Sequence, residues 1–185
     1  PKQYKKVTVL FTDFKGFTSE ATKVPPQELV GSLNECFSAF DEIVTKHNLE
    51  KIKTIGDAYM CAGGIPVENE SNPMDALNAA REMVEWVNIW NSEREMNGKS
   101  IWEIRIGVHT GELVAGVIGT SKFAFDVWGD AVNIASRMES SGEPGKINIS
   151  SSTYGYVKEN FSFEYRGEIE VKNRGEIGMY FVSNE

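Results

Sequence analysis

Little in this chain of 185 residues could staple it, metallate it through sulfur, or anchor it in a bilayer. Its two cysteines, Cys36 and Cys61, sit in apolar contexts without metal-ligand spacing. That excludes a disulfide framework and a thiolate metal site, and leaves two reduced core residues in a cytosolic protein. The two histidines, His47 and His109, have no ligand-like neighbours and read as structural. No apolar run approaches the roughly 18 residues that a membrane helix needs, and no secretory signal is visible. Positive charge is also scarce. The net charge is −8, and the only basic run, Lys2 to Lys6, is short and reads as a solvated terminus. A nucleic-acid surface, which needs clustered lysine and arginine, is excluded. Internal repeats and low-complexity segments are absent. The chain begins without a methionine, immediately before its first strand, and reads as a domain excised from a longer multidomain protein.

What is present is an ordinary globular composition, 41% hydrophobic and 25% charged, enough for one domain, residues 1–185, with a real core. Val7 to Phe14 has the β-branched and aromatic content of a buried strand. Pro25-Pro26 opens a helix whose apolar positions Leu29, Val30, Leu33, Phe37, Phe40, Ile43 and Val44 recur at helical spacing. Leu49–Ile55 and Ala58–Ala62 read as strands joined at Gly56-Asp57, a two-residue turn with glycine first. A second helix spans Pro73 to about Glu95, with Met74, Leu77, Ala80, Met83, Val84 and Val87 on one face. Trp102–His109 and Leu113–Ile118 are predicted as two strands around Thr110-Gly111-Glu112, followed by an extended piece at 123–128. A helix at 130–139 ends at Gly142 to Gly145, and short strands flank a short helix near Thr153. Hairpins alternating with single crossover helices predict an α+β fold: an antiparallel-rich sheet with flanking helices, built on a ferredoxin-like core with C-terminal additions.

Three stretches carry possible chemistry. Asp13 ends the first strand and is followed by Phe14-Lys-Gly-Phe-Thr18, where Gly16, Phe17 and Thr18 form a turn able to offer N–H groups to a phosphate. Asp57 lies at the tip of the hairpin. Each aspartate alone is an ordinary turn residue. Two carboxylates at the ends of neighbouring strands are also hard oxygen ligands of the kind Mg²⁺ uses together with substrate phosphates. In the helix after Trp128, Val132, Ala135 and Met138 make the apolar stripe, leaving Asn133 and Arg137 four apart on one face. That pair is either an incidental polar face or an amide and a guanidinium set against phosphoryl charge.

FTDFKGFT, EKIKTIGDAYM and FDVWGDAVNIASRMES, in this order and spacing, resemble the class III nucleotidyl cyclase catalytic domain over nearly the whole chain. The resemblance implies two divalent cations, Mg²⁺ or Mn²⁺, held by Asp13 and Asp57 with the main-chain carbonyl of Phe14. It implies base selection by Lys53 and Asp126, a ribose contact from Asn133 and a transition-state phosphate contact from Arg137. Lys172 aligns with the lysine that binds the terminal phosphates, although the family often has Gly-Lys-Gly after it and this chain has Asn-Arg-Gly.

Adenylyl cyclases of this family carry Lys and Asp at the base-selecting positions, where guanylyl cyclases typically carry Glu and a small residue. Adenine offers an acceptor at N1 and a donor at its 6-amino group, matching a lysine and an aspartate; guanine reverses both. The resemblance therefore implies an adenylyl cyclase that converts ATP to 3′,5′-cyclic AMP and pyrophosphate. Its sites would be shared across a homodimer, the metal aspartates of one chain facing the base-selecting residues of the other. Regulatory domains are expected elsewhere in the full-length chain, and a cytoplasmic location for this part, even if the full-length protein is membrane-attached. The alternatives are a guanylyl cyclase, disfavoured by Lys53 and Asp126, and a non-catalytic regulatory half, disfavoured because every expected position is filled.

Overall fold

The computed structural model describes residues 1–183. Strand β1 (Lys2–Lys15) leads through a short helix α1 (Phe17–Ala21) into α2 (Pro26–Lys46), then β2 (Glu50–Ile55), β3 (Ala58–Gly63), α3 (Asn72–Met96) and β4 (Glu103–Ile118). These elements make a sheet ordered β2-β3-β1-β4, with every pairing among them antiparallel. That is the ferredoxin-like arrangement expected from the hairpin-and-crossover pattern. The additions are β5 (Ala124–Trp128), α4 (Asp130–Ser140), β6 (Ile147–Ser150), α5 (Ser151–Val157), β7 (Phe163–Val171) and β8 (Gly175–Val182). β6, β8 and β7 extend the sheet beyond β4, and β5 folds back antiparallel on the far half of β4. β6 runs parallel to β4; the other ladders are antiparallel.

The sheet is covered on both faces. On one, Leu10, Cys61, Ile104 and Ile106 pack against Phe40 of α2 and Leu77 and Met83 of α3. A row of rings, Phe40, Trp86, Trp90 and Trp102, runs through this layer with successive centroids 5.2–6.3 Å apart. On the other face Val7, Val9, Phe11 and Met60 meet Val127 of β5 and Ala131 and Ala135 of α4. The cysteines are free and buried. No helix among the described residues is long and apolar enough to cross a membrane.

Four local expectations need correction. β1 starts at Lys2, not Val7, so the basic run is strand and not loose terminus: Tyr4 is buried and Lys6 pairs with Glu70 at 2.9 Å. β4 is one strand of 16 residues, unbroken at Thr110-Gly111-Glu112. A bulge in β1 between Tyr4 and Val7 takes up the irregularity there, and Gly111 is paired with Val7. Helix α1 lacks the length to leave a periodic signal. Val30 points outward from α2, 63% exposed, and does not join the apolar stripe.

Candidate active site

The hairpin between β2 and β3 turns at Gly56 (φ 59°) and Asp57, which brings Asp57 alongside the end of β1. There the backbone N–H of Phe14 donates to Asp13 Oδ1 (2.8 Å) and to Asp57 Oδ2 (3.2 Å), binding both aspartates to one peptide group. The Phe14 ring is buried edge-on against Trp102, 5.0 Å between centroids, and Phe17 meets the same indole edge-on at 5.7 Å. The 14–18 turn is thus anchored by its aromatic residues, with Gly16 opening α1 at φ 77° and Thr18 exposed.

Burial, followed by the neighbouring Asp13 carboxylate, pushes the Asp57 pKa up to about 7 against the opposing Phe14 N–H. A third carboxylate joins from the opposite layer. Gly107 of β4 lies under α4 so closely that a Cβ there would sit 2.0 Å from the backbone nitrogen of Glu139. This contact places the Glu139 side chain, 7% exposed, beside Asp13; burial and then Asp13 raise its pKa to about 7, with Arg105 opposing. Arg105 pairs with Asp13 in the β1–β4 ladder, and its Nε is 3.0 Å from Glu139 Oε2. Neither of these two atoms has an aligned hydrogen bond, so the contact is an ion pair by distance only.

Neither Arg105 nor Glu139 is among the residues the sequence singles out. The signal for the first was an arginine between Ile104 and Ile106 in an otherwise apolar strand. Glu139 carried none, because only the approach of α4 to Gly107 turns it inward.

Carboxylates crowded this way raise one another's energy, a state that a divalent cation relieves. Among the described residues no group of three or more His, Cys, Asp and Glu is arranged as a ligand cluster. Two aspartates with the remaining ligands drawn from main chain, water and substrate phosphates is the pattern Mg²⁺ uses. The residues present fit such a cation.

Lys53 and Asp126 meet elsewhere. Lys53 on β2 reaches the folded-back β5, where its Nζ is 2.8 Å from Asp126 Oδ2. The other oxygen of Asp126 accepts from the Val127 N–H at 2.8 Å, which sets the plane of the carboxylate. Lys53 is 43% exposed and Asp126 15%, so the pair presents its donor outward. Lys53 therefore does not pair with Asp57, four residues away in sequence.

A third group is carried by α4 and the β7–β8 hairpin. Asn133 and Arg137 lie on the side of α4 turned from its buried stripe, Ala131, Ile134, Ala135 and Met138. Arg137 Nη2 donates to the Glu170 carbonyl at 3.3 Å. Lys172 is exposed in the turn after Val171 and makes no hydrogen bond or ion pair among the described residues. No hydrogen bond or ion pair among those residues links Asn133, Arg137 or Lys172 to Asp13 or Asp57.

Both histidines, and Trp90, have side-chain partners within the fold. His47 bonds Glu82, His109 bonds Ser150 at 2.7 Å, and Trp90 donates to Glu35 at 3.0 Å.

Residues 1–184 match the model of the adenylate and guanylate cyclase catalytic domain. An adenylate cyclase of Mycobacterium tuberculosis is 39% identical over 180 residues, 97% of this chain and 40% of that protein. Human guanylyl cyclase C is 40% identical over 187 residues, 99% of this chain and 17% of that protein. The chain thus spans less than half the length of either relative. The crystal structure of the adenylyl cyclase CyaB from P. aeruginosa superposes with a TM-score of 0.94 at 28% identity, covering 100% of this chain and 97% of that one.

Proposed function

The chain belongs to the family of adenylate and guanylate cyclase catalytic domains, and on that premise we propose that it is an adenylyl cyclase, forming 3′,5′-cyclic AMP and pyrophosphate from ATP. The observation that carries the choice of nucleotide is the Lys53–Asp126 pair, closed at 2.8 Å. An ammonium beside a carboxylate presents a donor and an acceptor side by side, the complement of adenine N1 and its 6-amino group. Lysine keeps two further donors when one is given to Asp126, so adenine is read without first breaking the pair. Guanine would set its N1–H against the ammonium and its O6 against the carboxylate, two mismatches that a polar site rejects strongly.

In the reaction the ribose 3′-hydroxyl gives its proton to Asp13, water or a substrate phosphate as its oxygen attacks the α-phosphorus, and the bond from that phosphorus to the bridging oxygen breaks to release pyrophosphate. Asn133 orients the ribose. Arg137, whose guanidinium stands at the surface of α4, takes up the charge that grows on the α-phosphate. Lys172 holds the terminal phosphates. Asp13 and Asp57, with the Phe14 carbonyl, hold two divalent cations, Mg²⁺ or Mn²⁺. Bound there, such cations supply Lewis-acid stabilisation of phosphate charge and a lowered pKa for the attacking hydroxyl.

The site is completed by a second copy of the chain. Two features support this reading: among the described residues the aspartates share no hydrogen bond or ion pair with Asn133, Arg137 or Lys172, and the β4–β5 hairpin exposes large apolar side chains. These are Val117 (59%), Ile118 (51%), Phe123 (72%) and Trp128 (40%). Large apolar side chains exposed together on one hairpin suit an interface. A two-fold pairing would form two equivalent sites.

Initial rates of the purified chain with ATP and with GTP, in Mg²⁺ and in Mn²⁺, test the proposal. At least a tenfold preference for ATP in kcat/KM is expected; a preference for GTP would overturn the reading of Lys53 and Asp126.

A further inference from the structure

The turn that carries Lys172 contains a second cation, Arg174, which the reaction described above does not use. Val171 and Gly175 are paired, leaving Lys172, Asn173 and Arg174 as a three-residue loop. The Arg174 N–H closes on the Val171 carbonyl at 2.9 Å, and Asn173 takes the left-handed conformation (φ 65°) that asparagine tolerates. The Arg174 guanidinium reaches back to α4. Its Nε is 2.7 Å from Asp130 Oδ2 and its Nη2 contacts the same oxygen. Asp130 stands three residues before Asn133 and seven before Arg137, at the opening of the helix that bears both.

Resting on the reading of Lys172 as the ligand of the terminal phosphates, we propose that Asp130 and Arg174 are positioning residues that clamp the β7–β8 turn onto α4. The clamp fixes where Lys172 stands relative to Asn133 and Arg137. Three observations carry this. Arg174 and Arg137 tie the hairpin to the helix at two separated points, Asp130 and the Glu170 carbonyl. Between the ties, Ile134 and Met138 of α4 pack against Val171 and Met179, so hairpin and helix meet on an apolar bearing that the polar ties hold in register. Finally, Asp130 neutralises Arg174 while Lys172 donates to none of the described residues, which divides the two cations of one turn between holding and binding.

Arginine suits the first task because its planar fork makes two bonds in a fixed direction, which lysine cannot. Both side chains of the pair are 54% exposed. An ion pair so exposed adds little to stability, and its value must lie in geometry.

Steady-state kinetics of the whole chain, with the triphosphate it turns over, separate these ideas. The measured variants are Lys172→Ala, Asp130→Asn, the two combined, and the charge swap Asp130→Arg with Arg174→Asp. Binding of the corresponding 3′-deoxy triphosphate, which cannot cyclise, gives Kd independently of turnover. Lys172→Ala is expected to raise KM and Kd about tenfold, the weight of one charge-assisted phosphate contact. Asp130→Asn should raise both about three- to fivefold with kcat within twofold and an unchanged urea midpoint. In the Lys172→Ala background Asp130→Asn should add less than twofold, since the clamp then has nothing to place. The swap should recover most of the loss. If Lys172→Ala weakens binding and Asp130→Asn does not, or if the two effects multiply, the clamp is refuted while the reading of Lys172 stands. If Lys172→Ala changes neither KM nor Kd, that reading fails and the clamp fails with it.

Discussion

Lys53 and Asp126 are 73 residues apart in the chain, yet they close a 2.8 Å ion pair between the outermost strand of the sheet and a strand folded back from its middle. Lys53 thereby pairs with Asp126 and not with Asp57, its near neighbour in sequence.

Exchanging both members of that pair tests base selection. Lys53→Glu with Asp126→Cys replaces donor by acceptor and removes the original acceptor. The ATP-to-GTP ratio of kcat/KM should fall by at least about tenfold, the weight of one mismatched polar contact. An unaltered ratio would show that other residues read the base.

For the metal role the informative change is Asp57→Asn. It removes a ligand charge but also relieves the burial of a carboxylate and its crowding with Asp13, which together raise the Asp57 pKa. Turnover in saturating Mg²⁺ should drop by about a hundredfold or more, while the urea midpoint stays level or rises. Near-normal turnover would remove Asp57 from the cation site.

A shared site makes an arithmetical prediction. Asp57→Ala disables the half of each site that holds cations, and Asn133→Ala the half that holds nucleotide. Each variant alone should be almost inactive. Mixed in equal amounts and allowed to exchange, about half of the dimers combine the two chains, and each of these has one intact site. Activity should return to roughly a quarter of wild type at equal total protein. A mixture that exchanges, as seen by mass or fluorescence, yet stays inactive would place each site within one chain.

His109 predicts a pH dependence of stability. It is 7% exposed and hydrogen-bonded to Ser150, and burial, with a smaller push from Arg174, lowers its pKa to about 4 from 6.5. Between those values the unfolded chain takes up a proton that the folded chain refuses. Stability from this group is therefore complete above about pH 6.5 and is lost as pH falls toward 4, by at most about 3 kcal/mol. Urea titrations of wild type and His109→Asn from pH 4 to 7.5 check it: the difference in unfolding free energy between them should shrink as pH falls. A difference independent of pH would mean that His109 titrates normally in the fold.

The ferredoxin-like core was legible because hydrophobic period and turn chemistry agree along it. Phe40 and Val44 recur at helical spacing, and Gly56-Asp57 marks its hairpin. Where one position served two demands, the reading failed. Thr110-Gly111-Glu112 has turn composition, but Gly111 is small because a Cβ there would come 3.0 Å from the His109 ring, and the strand continues through it. Asp13, Asp57, Lys53 and Asp126 were singled out as candidates by the company they keep in three motifs. Arg105 and Glu139 were not: Arg105 stands beside Asp13 through the register of β1 on β4, and Glu139 through a helix crossing a strand at Gly107, and neither relation is recorded in a local pattern.

The unbroken course of β4 has a mechanical consequence. One end holds Arg105 against the carboxylates and the other ends at Ile118 in the exposed hairpin, with β1 laddered along most of the length between. A strand so braced has no loop at which to hinge, so the exposed hairpin and Arg105 are held at a fixed separation along one continuous strand.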